Sequence, residues 1–126
     1  MDDIKNIIAE LGISSLENNI KIAGVAVVSD SGKLIFQTSN WDISNQTNII
    51  LNVIKGDTSF VLSDLKYSVI GSTTEGFIGT SASGMGYILF APFEGGMLVA
   101  YAMPQADPSK ALQFLKNYGI QLNGKI

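Results

Sequence analysis

The sequence predicts an α+β domain: a single five-stranded antiparallel sheet with helices on both faces, in the order α-β-β-α-β-β-β-α. Three observations carry this expectation. Residues 22–38 read as a β-hairpin, residues 86–103 read as a second one, and amphipathic stripes at helical spacing precede, separate and follow them. With 126 residues the chain reads as one domain, 1–126, large enough to bury a core.

The first helix is marked by Ile4, Ile7, Ile8 and Leu11, which recur at i, i+3, i+4 and i+7. Asp2 or Asp3 can cap its first N–H groups, and Gly12 is placed to end it. Ser14 with Glu17 then matches a capping box, enough for one more helical turn before Asn18 and Asn19. In the strand at 22–29, Val25 and Val27 face one side while Ala26 and Val28 face the other. Both faces are apolar, so this strand is expected at the centre of the sheet. Ser29, Asp30, Ser31 and Gly32 supply the turn, and residues 33–38 form a partner strand nearer an edge. Asp42 or Ser44 can cap the middle helix, which buries Ile43, Ile50, Val53 and Ile54, runs to Lys55 and stops at Gly56.

Residues 57–64 read either as a short extended piece or as a helical extension around Phe60, Val61 and Leu62. From Leu65 the period becomes two: residues 66–71 form a strand, and Phe77 and Ile78 continue it past a bend at 73–76. Glu94, Gly95 and Gly96 turn the second hairpin between the runs 86–92 and 97–103. Asp107 caps the last helix with Pro108 at its first position. Ala111, Leu112 and Leu115 point inward, Gly119 closes the helix after Tyr118, and residues 120–126 carry no assignment.

Composition closes off most chemistry. The chain has no Cys and no His, and all eight of its basic residues are Lys. Without Cys there is no thiolate nucleophile or disulfide, without His no imidazole base or ligand, and without Arg no planar fork for a phosphate. Apolar residues make up 46% and charged residues 15%, so a folded core is expected. A net charge of -3 with pI ≈ 4.7 gives no electrostatic footprint for nucleic acid or an anionic membrane. The acidic first residues and short apolar runs predict a soluble cytoplasmic protein, in which the Asn45-Gln46-Thr47 sequon arises by chance. The chain is therefore expected to be no enzyme and to need no cofactor or metal.

Two motifs bear on that expectation. The glycine-rich run 71–86 invites a phosphate-loop reading, but Phe77 stands where the Walker lysine belongs, so turns and a bulge explain it better. Ser63 and Lys66 have the Ser-x-x-Lys spacing of serine acyl-enzymes, but the companion motifs are missing. Trp41, the single Trp, suits either a packing staple or a partner contact, and Phe93 and Glu94 at the second hairpin tip are turn residues or partner contacts.

The element order and residues 25–32 (Val-Ala-Val-Val-Ser-Asp-Ser-Gly), set after a short amphipathic helix, resemble the roadblock / dynein-light-chain family. The hairpin 86–103 followed by Asp107 and Pro108 is similar to that family's C-terminal half. The resemblance implies a homodimer that joins edge strands and middle helices, here residues 66–72 and 44–55, and that binds or regulates a small Ras-like GTPase. It places the dimer interface on Ile50, Asn52, Val53, Lys66, Tyr67, Ser68, Val69 and Ile70, while Trp41, Phe93 and Glu94 are the partner-binding candidates read from the residues themselves. Profilins and longin domains share a related sheet with helices on both sides. The alternatives are accordingly a small-molecule sensor resembling PAS or GAF domains, or a profilin-like cytoskeletal module binding actin-like filaments or proline-rich peptides through aromatic clusters.

Overall fold

The computed structural model describes residues 2–38, 41–62, 65–73, 76–81 and 83–125, leaving aside the side chains of residues 2 and 71–73. Ten elements follow in chain order: α1 (Asp2–Glu17), β1 (Ile22–Ser29), β2 (Leu34–Gln37), α2 (Thr47–Ile54), β3 (Ser59–Leu62), β4 (Leu65–Thr73), β5 (Gly76–Ser81), β6 (Tyr87–Phe93), β7 (Gly96–Ala102) and α3 (Pro108–Leu122). All strand pairings are antiparallel, in one seven-stranded sheet of order β2-β1-β7-β6-β5-β4-β3.

Five strands were expected and seven are present, for two reasons. The ambiguous stretch 57–64 contains β3, whose Phe60 and Leu62 are buried while Ser59 and Val61 are exposed, the alternation of a strand covered on one face. The expected bend at 73–76 instead separates two antiparallel strands, which pair from Tyr67↔Ser81 to Thr73↔Gly76. Gly76 lies at φ +144, and a Cβ there would collide with the Phe90 carbonyl, so only glycine lets β5 start this close to β6. The extra strands also relocate the edges. β4 is hydrogen-bonded on both sides, so residues 66–72 form no free edge, and β1 stands second from the edge although Val25–Val28 are almost wholly buried.

Helix boundaries move as well. α1 passes through Gly12 and ends at Glu17; Asn19 follows at φ 56, and the N–H groups of Asn19 and Ile20 reach the carbonyls of Leu16 and Ser15. The Asp2 cap lies outside the described side chains. α2 begins at Thr47, with no side-chain cap from Gln46. Asp42 does not open it: its carboxylate accepts from the Ser44 hydroxyl at 2.7 Å, the Ser44 N–H at 3.0 Å and the Gln37 amide at 3.1 Å, tying the connection back to β2. Those bonds, the Ser44 hydroxyl first, hold the Asp42 carboxyl below its usual range. Asp107 caps α3 as expected, accepting from the N–H groups of Ser109 and Lys110, but the helix continues through Gly119 to Leu122.

The sheet carries a core on each face. Under α1 and α3 lie Ile4, Ile8, Leu11, Val25, Val27, Leu89, Leu98, Leu115 and Leu122. Under α2 lie Ala26, Val28, Ile50, Val53, Phe60, Tyr67, Phe90 and Val99. The helices do not cover the two faces equally. α3 packs on β5, β6 and β7, and α1 packs on β1 and α3, so the α3 side of β3 and β4 receives no helix among the described residues.

Candidate functional site

That uncovered quarter of the sheet is the candidate site. Strand alternation builds it. On β4, Tyr67 and Val69 turn toward the α2 core, so Lys66 and Ser68 turn the other way, and both are exposed. Register places Ser59 beside Ser68, Ser68 beside Thr80 and Thr80 beside Tyr87, a row of hydroxyl side chains crossing four strands. One row further along, Val61 of β3 sits beside Lys66. The register shift between Val69 and Gly71 is a β-bulge, and the bulged Ile70 is 59% exposed, with Val61 at 50%. The described residues make this a surface of hydroxyls with Lys66 as a cation and Val61 and Ile70 as aliphatic side chains, and among them no nucleophile–base pair forms. Such a surface suits protein docking, in which aliphatic groups leave water and Lys66 meets a carboxylate.

The reverse side of the same strands is packed with aromatic rings. The Phe60 and Tyr67 rings stack with centroids 5.3 Å apart, and Phe90 meets Phe60 edge-on at 5.6 Å and Phe77 at 6.4 Å. Gly79 makes room for this cluster, because a Cβ there would lie 2.8 Å from the Phe60 ring. Burial, with a contribution from Tyr101, pushes the Tyr67 phenol up to about 12, so it is neutral at physiological pH.

The structure separates the residues singled out from sequence. Lys66, Ser68 and Ile70 come together on the open face, whereas Ile50, Val53 and Tyr67 are buried in the α2-side core and Val69 packs against it. Asn52 is exposed on α2, away from β4's outward side chains. Trp41 lies over Gly24 of β1, where a Cβ would come within 2.8 Å of it, so Trp41 is a packing residue on the α2 side. Phe93 packs against the α3-side core, and Glu94 is clamped to the end of α3: its N–H donates to the Asn123 side chain at 2.7 Å and its carbonyl accepts from the Gly124 N–H at 3.2 Å. Ser63 lies outside the described residues, as do residues 74, 75 and 82 of the glycine-rich run. Among the described residues, no group of three or more potential metal ligands forms, and no helix is long and apolar enough to cross a membrane. Sequence reasoning missed Val61, Ser59 and Thr80. The alternation around Phe60 and Leu62 was the signal available for the first two.

No protein-family model matches the chain. Among curated proteins, Loki profilin-1 from Lokiarchaeum sp. is 34% identical, covering 99% of this chain and 98% of its own. Loki profilin-2 from the same organism is 32% identical over 78% of this chain and 81% of its own, and Odin profilin from Odinarchaeota yellowstonii is 33% identical over 71% and 76%. Among solved structures, LokiProfilin2 in a complex with rabbit actin superposes with a TM-score of 0.88 at 30% identity, covering 100% of this chain and 99% of that one. LokiProfilin1, also in a complex with rabbit actin, gives 0.88 at 29% identity over 100% and 98%. Schizosaccharomyces pombe profilin, 19% identical with a TM-score of 0.68 over 86% and 90%, shares the fold. These likenesses overturn the roadblock resemblance and, with it, the homodimer and the Ras-like GTPase partner: the similar chains are profilins, and two of them were solved with actin. The seven strands, the helices on both faces and identity near one third along almost the whole of Loki profilin-1 agree, and the chain belongs to the profilin family.

Proposed function

We propose that this protein is a non-enzymatic actin-binding module that docks actin, or an actin-like protein, on the uncovered α3-side face of β3 and β4. The observation that carries the reading is the superposition at TM-score 0.88 onto two profilins held in complexes with rabbit actin. The open face supports it independently. Val61 and Ile70 each leave about half of their surface exposed, and a partner that desolvates it gains about 25 cal/mol per Å² buried.

Proline-rich peptide binding is the weaker reading. It needs exposed aromatic rings on which prolines can lie. Here the Phe60, Tyr67, Phe77 and Phe90 cluster is turned inward, and the exposed large apolar side chains are aliphatic or Met.

Titration of the purified protein into labelled rabbit actin monomers tests the proposal. Saturable one-to-one binding at micromolar concentrations is expected, on the order of 8 kcal/mol. Absence of binding to rabbit actin and to actin from the protein's own source at tens of micromolar would sink it.

A further inference from the structure

Asn123 is the only asparagine in the chain that precedes a glycine. This pair is chemically the least durable context for an asparagine, because glycine has no side chain to hinder its own backbone nitrogen. The Gly124 nitrogen can attack Cγ of the Asn123 side chain. A C–N bond forms, the Gly124 nitrogen gives up its proton, and the side-chain nitrogen leaves as ammonia. Water then opens the five-membered imide ring at either carbonyl. One opening gives aspartate; the other gives isoaspartate, in which the main chain runs through the former side chain. Water is consumed, ammonia is released and no oxidant is needed. Asn123 and Gly124 are both exposed, so water reaches them.

The two reacting groups are the same ones that clamp α3 to the tip of the β6–β7 hairpin. The Glu94 N–H donates to Asn123 Oδ1 at 2.7 Å, and the Gly124 N–H donates to the Glu94 carbonyl at 3.2 Å. Backbone geometry opposes the reaction in that state. Ring closure needs Cβ, Cα and the carbonyl carbon of Asn123 and the Gly124 nitrogen close to one plane, and a ψ of 125 at Asn123 turns that nitrogen away from the side chain. We propose that Asn123-Gly124 is a site of spontaneous deamidation and isomerisation gated by this clamp: it reacts only from the open state, and its isoaspartate product cannot close the clamp again. The extra main-chain methylene moves the Gly124 N–H off the Glu94 carbonyl and shifts Lys125, which pairs with Asp3 of α1 at 3.6 Å. The aspartate product keeps an oxygen where the Glu94 N–H points, so it retains the clamp. The site lies at the hairpin tip and the end of α3, and the inference stands apart from the actin reading.

The test incubates the intact protein at mildly alkaline pH, folded and in denaturant, and follows Asn123 by mass spectrometry of tryptic fragments. Two hydrogen bonds of ordinary net strength should slow the folded chain about tenfold or more relative to the denatured one. Glu94→Pro isolates the gate. Gly95 has a φ of 110 and Glu94 does not share its positive sign, the pattern of a turn that accepts proline at its second position. The substitution therefore removes the donor to Asn123 and keeps the turn. It should speed the folded reaction about fivefold and leave the denatured rate unchanged. Glu94→Gln, which retains the N–H, should change neither rate. In hydrogen exchange, the purified isoaspartate fraction should lose protection at Gly124, whereas Asn123→Asp should keep it. The proposal is overturned if folded and denatured chains react at the same rate, or if Glu94→Pro, shown to be folded by circular dichroism, reacts no faster than the parent. Retained protection at Gly124 in the isoaspartate chain overturns it as well.

Discussion

The two sides of β4 obey the same alternation and have opposite fates. Tyr67 and Val69 lock into an aromatic cluster with Phe60 and Phe90, whereas Lys66, Ser68 and Ile70, one residue away each time, face water. Period-two geometry thus lets a single strand separate stability from the proposed recognition, with the first on its inner side and the second on its outer side. Altering one side should leave the other's property intact.

The sharpest way to break that division is Tyr67→Ala, which empties the stack and is expected to cost about 3–5 kcal/mol of stability in denaturant unfolding. If the inner side only supports the outer one, the folded fraction should still bind actin. Gly79→Ala presses a methyl toward the Phe60 ring and should cost about 1–3 kcal/mol, measured the same way. On the outer side, Ile70→Asp should weaken actin binding by about 2 kcal/mol, roughly thirtyfold. Its unfolding midpoint should stay within about 0.5 kcal/mol of the parent, as for other exposed positions. Loss of stability in Ile70→Asp, or unchanged binding, would dissolve the distinction. The smallest effect is Tyr67→Phe, which keeps the ring and removes the phenol. The unfolded chain releases the Tyr67 proton near pH 10.0, while the folded chain keeps it to about 12. Between those values the folded state binds the extra proton, so stability falls as pH rises. Difference unfolding curves should show that loss in the parent and its absence in Tyr67→Phe.

Much of the fold was legible because its signals are local. The turn at Ser29–Gly32, the glycine pair before Met97 and the Asp107-Pro108 cap each specify their element within a few residues. The strand count was not legible, since β3 is four residues long and is fixed by pairing with β4 rather than by its own propensity. That miscount steered the resemblance toward the wrong family, because helix, hairpin, helix and further strands is an order several folds share. The candidate face depended on the same miscount. Lys66, Ser68 and Ile70 were singled out as a free edge, but the neighbouring β3 makes them part of a broad surface instead. Ile70 is also turned outward by a bulge whose presence depends on how β5 pairs, information no single segment carries.

The clamp between Glu94 and the end of α3 has a dynamic consequence. Asn123 and Gly124 fasten the tip of the β6–β7 hairpin to a helix that packs along those same strands, so neither can lift away while the other stays. Hairpin and helix are therefore expected to open as one cooperative unit, which hydrogen exchange would read as a common rate for amide protons in both. The latch lies at the opposite end of the strands from Tyr87, so it fastens the helix bordering the uncovered face without using any residue of the proposed docking surface.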